Sequence, residues 1–427
     1  MIQHCHLVAP IAAAAIATSS LLLAQNPLPY PVRPGPRYTD ATTGLVLPVG
    51  YRATEILDTG AVVPVPRVRV DRHGVDAGDL ILTSQCRSGN DTTHIYRVAM
   101  IDGDPVQPVV FQQVTTLAAD NVSLAEDSAG TFYAAANCTQ TSSVWRVDMT
   151  TGSRTALTTG LNDPDRIAIV TPPGGPERLY AATQDALVVI DLVTGAVVNS
   201  VTSTSLGNWG MIGDQPNRTI VGRAAGVLVE FDLVAGIFRS IPASAAIYPL
   251  DVDTRGTRWF VSGTSVGWLD SSGTGAFVPI ITDPSSSSFD LHVRDEHTLY
   301  LCSQDTNKIY RIDLPLHVGP AVLDGATGGT MSLAVQVDAV RSGEAVLAVV
   351  TLAGASPGFT FQGLTIPINT PAILIGIGTV DPTGAATLPF QLAAGSSPGP
   401  GNHYSLHFCA ATLPSLLITN NQQCFVR

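Results

Sequence analysis

The chain has 427 residues, enough for two or three domains with cores of their own. Charged residues make up 13%, Asp+Glu 34 against Lys+Arg 22 leave a net charge of −12, and Lys308 is the one lysine. These numbers exclude the basic footprint of a nucleic-acid binder and a Walker-type phosphate loop, whose lysine must sit in a Gly-rich run; 45% apolar residues exclude a disordered chain.

Residues 7–24, Leu-Val-Ala-Pro-Ile-Ala-Ala-Ala-Ala-Ile-Ala-Thr-Ser-Ser-Leu-Leu-Leu-Ala, read as the apolar core of a secretory signal peptide spanning 1–24. No later window offers 18 uninterrupted apolar residues, so no membrane span is expected after it. Pro27, Pro29, Pro31, Pro34 and Pro36 mark 25–38 as a stiff linker. A secreted or cell-surface location follows as the expectation, and it permits disulfides.

From residue 65 onward one pattern recurs, an aromatic or aliphatic run followed by Asp and a turn. It appears as Val144-Trp145-Arg146-Val147-Asp148, Val188-Val189-Ile190-Asp191, Val229-Glu230-Phe231-Asp232, Val266-Gly267-Trp268-Leu269-Asp270 and Ile309-Tyr310-Arg311-Ile312-Asp313. A sixth copy, Ile95-Tyr96-Arg97-Val98-Ala99, has Ala in place of Asp. About twenty residues before each copy stands a hairpin signal, as in Asp127-Ser128-Ala129-Gly130, Asp71-Arg72-His73-Gly74 and Asp253-Thr254-Arg255-Gly256. Asp-x-x-Gly suits a type I turn and lacks the remaining ligands of a calcium loop. Each unit of roughly 43 residues therefore supplies three or four short strands. The expected fold is all-β, a six-bladed β-propeller over 39–316. Residues 51–57, Tyr-Arg-Ala-Thr-Glu-Ile-Leu, are expected to supply the last blade's missing outer strand and close the ring, which removes exposed edges.

Units such as Tyr248-Pro249-Leu250-Asp251-Val252-Asp253-Thr254-Arg255-Gly256-Thr257-Arg258-Trp259-Phe260-Val261-Ser262 resemble the repeats of NHL, gluconolactonase-like and streptogramin-lyase-like propellers. The resemblance covers about 250 residues. It implies the fold, and it implies that any metal-dependent chemistry would sit at the channel mouth.

Residues 320–427 lose the repeat and carry few charges: Asp324, Asp338, Arg341, Glu344, Asp381 and Arg427. Short β-branched runs alternate with Gly and Pro, at 345–352, 359–366, 372–380, 386–392, 403–408 and 415–419, and predict a C-terminal β-sandwich. The segment Asp381-Pro382-Thr383-Gly384, then Leu388-Pro389-Phe390-Gln391-Leu392, resembles C-terminal sandwich domains of secreted planctomycete proteins. With so few titratable groups, this half is expected to serve surface attachment or packing.

Two cysteine pairs are disulfide candidates. Cys86 and Cys138 hold equivalent places in adjacent units, and Cys409 and Cys424 fall in the last two strands of the sandwich. Cys302 reads as a small buried hydrophobe. At the starts of the inner strands the repeat places Asn121, Asp165, Arg166, Asn208, Trp209 and Asp290, with His292 two residues on from Asp290 and on the same side of its strand. These are the candidate ligand-binding residues.

No Gly-x-Ser-x-Gly elbow and no His-Glu-x-x-His is present, no catalytic or metal residue is assigned, and no cofactor is expected. The first reading is a non-catalytic binding or interaction module for an extracellular ligand, glycan or protein. The alternatives are a metal-dependent lactonase, hydrolase or lyase holding a divalent metal at the propeller mouth, and a structural surface protein.

Overall fold

The computed structural model describes residues 36–426, apart from 74–75, 85–91, 119–120, 138–142, 203–205, 225–226, 244–245, 254–255, 270–274, 320–321, 354–357, 362–363, 398–403 and 421. Residues 1–35, with the expected signal peptide, and Cys86 and Cys138 lie outside the described residues. Among those described, no helix is long and apolar enough to cross a membrane.

Strand follows strand in six consecutive antiparallel sheets, five of four strands and one of six. Their innermost strands are Arg67–Val70, Asn121–Glu126, Arg166–Val170, Leu206–Asp214, Tyr248–Val252 and Phe289–Val293. We number these blades 1 to 6. Every recurrent run of the sequence forms the third strand of its blade, for example Ser143–Val147 and Lys308–Asp313. The Asp after the run folds the chain back. Asp148 Oδ1 accepts the Thr150 and Thr151 N–H groups at 2.8 and 3.1 Å, and Gly152 closes the turn at φ +71.

A sheet with two apolar faces needs a neighbour on each side. Six apolar clusters fill the six junctions between successive blades. Ile81, Ile95, Leu124 and Phe132 join blades 1 and 2. Tyr133, Ile167 and Leu179 join 2 and 3. Val189, Met211 and Phe231 join 3 and 4. Ile212, Val221 and Phe260 join 4 and 5. Trp259, Trp268, Leu291 and Leu301 join 5 and 6. Val68, Leu80, Tyr300 and Ile309 join 6 and 1. The ring is closed through the chain's early part: Arg52–Asp58 pairs antiparallel with Lys308–Asp313 as the fourth strand of blade 6.

Two expectations need correction. Arg37–Thr39, which begins inside the segment read as linker, is a strand that pairs with Val46–Pro48 and extends blade 5 outward, where Arg37 donates to Ile280 O at 3.0 Å. The first hairpin is longer than the Asp71–Gly74 turn expected from the sequence, and Gly74 itself lies outside the described residues. It closes between Asp71 and Asp79, with Gly78 N donating to Asp71 O at 2.7 Å, and Asp71, Asp76 and Asp79 all face Arg97. Between the third and fourth strands of blade 1 runs an extra ribbon, Met100–Ile101 with Asp104–Pro105, anchored to blade 6 by Arg311 Nη1 and Asp104 Oδ1 at 2.7 Å.

Beyond the ring, a three-stranded sheet (Leu316–Gly319, Gly329–Gln336, Ala385–Leu392) and a five-stranded sheet (Val322–Leu323, Gln422–Val426, Tyr404–Leu413, Ala345–Thr351, Ile373–Thr379) share one core built on Met331, Leu333, Val346, Leu388 and Phe408. The run 415–419 is not a strand; Pro414 lacks an N–H, Leu416 takes φ +54, and one bridge joins Ile418 to Ala411. Asn420 ties this unit to the ring's exit: its side chain accepts Leu316 N–H at 2.7 Å and donates to Leu316 O at 2.9 Å.

The Cys409–Cys424 disulfide is not formed. Cys424 lies opposite Leu406, three residues from Cys409, so the two thiols leave opposite faces of the sheet. Cys424 enters the shared core, while Cys409 Sγ lies 3.6 Å from Thr419 O on the other side.

Candidate functional site

The six innermost strands line a central channel. Charged side chains from five blades meet in it. At the end where the strands begin stand Arg166 and Asp290. Arg166 opens the inner strand of blade 3 and Asp290 is the second residue of blade 6's, on the opposite side of a six-membered ring. Burial pulls the Arg166 guanidinium down to about 10, and the charge of Asp290 works against that fall. Arg166 feels Asp290 without pairing with it. Asp290 Oδ2 instead accepts Val68 N–H at 2.9 Å and Arg69 Nη1 at 3.1 Å, both from blade 1.

At the other end a cavity of about 140 Å³ opens between Arg69, Arg72, Glu126, Met211, Leu250, Asp251 and His292, with Leu124, Ile167 and Ile169 as further wall. That volume holds several waters or a small molecule and is well under a drug-sized site. His292 is buried, 6% exposed. Its Nδ1 lies 3.1 Å from Asp251 Oδ2, yet the angle leaves it without an aligned hydrogen bond. Burial lowers the His292 pKa, Arg72 and Arg69 lower it further, and Asp251 only partly compensates, so the ring is held neutral. Burial pushes the Asp251 carboxyl up, but His292, Arg69 and the Val293 N–H outweigh it and hold it below the usual range. Asp251 Oδ2 accepts Val293 N–H at 2.7 Å, and Oδ1 accepts Val252 N–H at 2.9 Å. Glu126 is raised by burial; it contacts His73 Nδ1 at 2.5 Å and accepts Arg72 N–H at 3.2 Å.

Blade junctions explain this pattern. Asp290 caps a backbone N–H of the next blade, Asp251 does the same for blade 6, and Ser123 Oγ accepts Ile167 N–H at 3.2 Å between blades 2 and 3. An inner strand has no further strand on its channel edge, so a side chain from the neighbour satisfies its exposed donors.

Of the residues named from the sequence, Arg166, Asp290 and His292 reach the channel. Asp165 is buried beside it, with its own N–H bonded to Ala182 O at 3.0 Å. Asn121 opens the inner strand of blade 2, and Asn208 and Trp209 lie within that of blade 4; their side chains fall outside the described residues. Among the described residues no group of three His, Cys, Asp or Glu is placed to hold a metal ion. Sequence reasoning missed Arg69, Arg72, Glu126 and Asp251. A signal existed, since each stands at or just before the first hairpin turn of its repeat, at the far end of the strands from the positions chosen.

No family model matches this chain, and no curated protein does. Among solved structures it is similar to a gluconolactonase of Xanthomonas campestris, at 14% identity and TM-score 0.47 over 68% of this chain and 98% of that one. It is also similar to a chain of a nidogen/laminin complex, at 12% identity and TM-score 0.40 over 55% of this chain and 88% of that one. The six filled junctions and the closing strand decide the architecture. The chain is a β-propeller protein.

Proposed function

We propose that this protein is a secreted or cell-surface binding module without catalytic activity, and that its ligand enters the propeller channel. One observation carries the reading. Each channel carboxylate is tied to protein partners: Asp290 Oδ2 to Arg69 and Val68 N–H, Asp251 to Val293 and Val252 N–H, and Glu126 to His73 and Arg72 N–H. A general base or metal ligand needs a carboxylate lone pair turned toward the substrate. Carboxylates employed in joining blades support a rigid, preorganised receptacle instead. The charge-poor C-terminal unit fits attachment or packing better than chemistry, and the apolar run at 7–24 supports export.

The test is a thermal-shift screen of the full chain against glycans, small metabolites and divalent metals. The expected result is stabilisation by an organic ligand in the presence of chelator. Hydrolysis of a lactone or ester that requires calcium or zinc would overturn the reading in favour of a metal-dependent enzyme.

A further inference from the structure

The cavity at the end of the channel is unbalanced in hydrogen-bonding capacity. Its carboxylates are tied to protein partners: each Asp251 oxygen accepts a backbone N–H, and both Glu126 oxygens face Arg72 N–H, with His73 on one of them. Its donors are in excess. Arg69 uses Nη1 on Val68 O and Asp290, at 2.6 and 3.1 Å. Arg72 uses Nη2 on Val293 O at 3.2 Å and lies 3.5 Å from His292 Nε2. A guanidinium carries five N–H donors, so each arginine keeps several with no acceptor among the described residues. If Arg72 donates to Nε2, the His292 proton sits on Nδ1, the buried atom that lacks an aligned acceptor. Arg166 adds a third guanidinium farther along the channel, also without an ion pair among the described residues. The rest of the wall is apolar: Leu124, Ile167, Ile169, Met211 and Leu250.

A donor-rich pole beside an apolar wall selects a molecule with an oxyanion head and a short hydrocarbon body. We propose that the cavity binds a short-chain carboxylate, with its head on Arg69, Arg72 and His292 and its body against Met211, Leu250 and Ile169. This proposal deepens the binding-module reading and rests on it. A planar carboxylate matches the guanidinium fork in a way that a spherical halide does not. The cavity volume of about 140 Å³ restricts the body to a few carbons.

The experiment is calorimetric titration of the full chain with sodium butyrate and sodium isovalerate. Sodium chloride, sodium phosphate, butan-1-ol and butylamine serve as comparison solutes. Saturable binding of the two carboxylates is expected, with a Kd below about 10 mM. Arg72→Gln, at the exposed mouth, should weaken it about tenfold or more, Arg72→Lys less, and Arg154→Gln on an outer strand not at all. Arg72→Gln binding butyrate as tightly as the natural chain would overturn the proposal. So would equal heat from chloride or phosphate, or the absence of saturation by carboxylates. If carboxylates do not saturate the chain while a glycan stabilises it in the presence of chelator, the carboxylate site falls and the binding-module reading stands. Metal-dependent turnover sinks that reading while leaving the butyrate titration to be judged by itself.

Discussion

Asp290 Oδ2 accepts the Val68 N–H at 2.9 Å, and this one bond joins the last blade to the first across 222 residues of sequence. The same oxygen holds Arg69 at 3.1 Å. Removing the carboxylate therefore strips a buried donor and a half-buried guanidinium together. Asp290→Ala should destabilise the protein by about 2–4 kcal/mol. Asp290→Asn keeps an acceptor for Val68 and should cost roughly half as much. Urea midpoints of the two variants check this; equal midpoints would mean that the bond adds nothing to closure.

Gly50 stands one residue ahead of the closing strand Arg52–Asp58, at φ +91, against the backbone of Thr419 and Asn420. A Cβ there would collide with main-chain atoms that cannot swing aside. Gly50→Ala is expected to cost about 2 kcal/mol or more, combining an unfavourable φ with overpacking. Gly44 has a positive φ but open space around it, so Gly44→Ala should show only the smaller backbone cost, about 1 kcal/mol. Thermal melts of the two variants separate the collision from the φ effect.

Leu316 marks where the ring hands the chain to the second unit, and its N–H and C=O are both satisfied by the Asn420 side chain. Asn420→Ala leaves two buried backbone groups unpaired and should lower stability by about 2–3 kcal/mol. Asn420→Asp keeps the acceptor and loses the donor, so it should fall between. Limited proteolysis would detect the loss as faster cleavage near the 314–320 connection.

His292 makes stability depend on mildly acidic pH. Burial holds its folded pKa below the ordinary 6.5, so the unfolded chain takes up the proton first as pH falls. Its contribution is complete above about 6.5 and is lost progressively below, at no more than about 1.4 kcal/mol per pH unit for a single group. Arg69 and Arg72 oppose the added charge, and Asp251 favours it. Urea midpoints should drop between pH 7 and pH 5, and His292→Gln should flatten that drop. A steeper drop in the variant would contradict the assignment.

Cys409 and Cys424 should both react with iodoacetamide in denaturant without reductant, because no disulfide joins them. Burial pushes the Cys409 thiol up to about 12, so the native protein should leave it unmodified at neutral pH. Peptide mass spectrometry of the alkylated chain reads both outcomes; a linked peptide pair would refute the parity argument.

Much of the architecture was legible in residues such as Asp148–Gly152 and Ile309–Asp313. Alternating side chains, turn-forming Asp and Gly, and their recurrence are local properties, written where they act. The recurrence alone called for a ring, and residues 51–57 offered the strand that closes it. The site was legible only in part. Arg166, Asp290 and His292 could be named because they occupy a repeated place, but their roles could not be read from it. Whether Asp290 faces a ligand or caps Val68, whether Arg69 or Arg166 takes its charge, and whether two cysteines in neighbouring strands share a face all depend on register and on ring curvature. Those are set when the six interblade cores pack, and they bring together side chains more than 200 residues apart. Sequence periodicity thus determined the strands and their order, while tertiary packing decided which charges neutralise one another and which donors remain open in the channel.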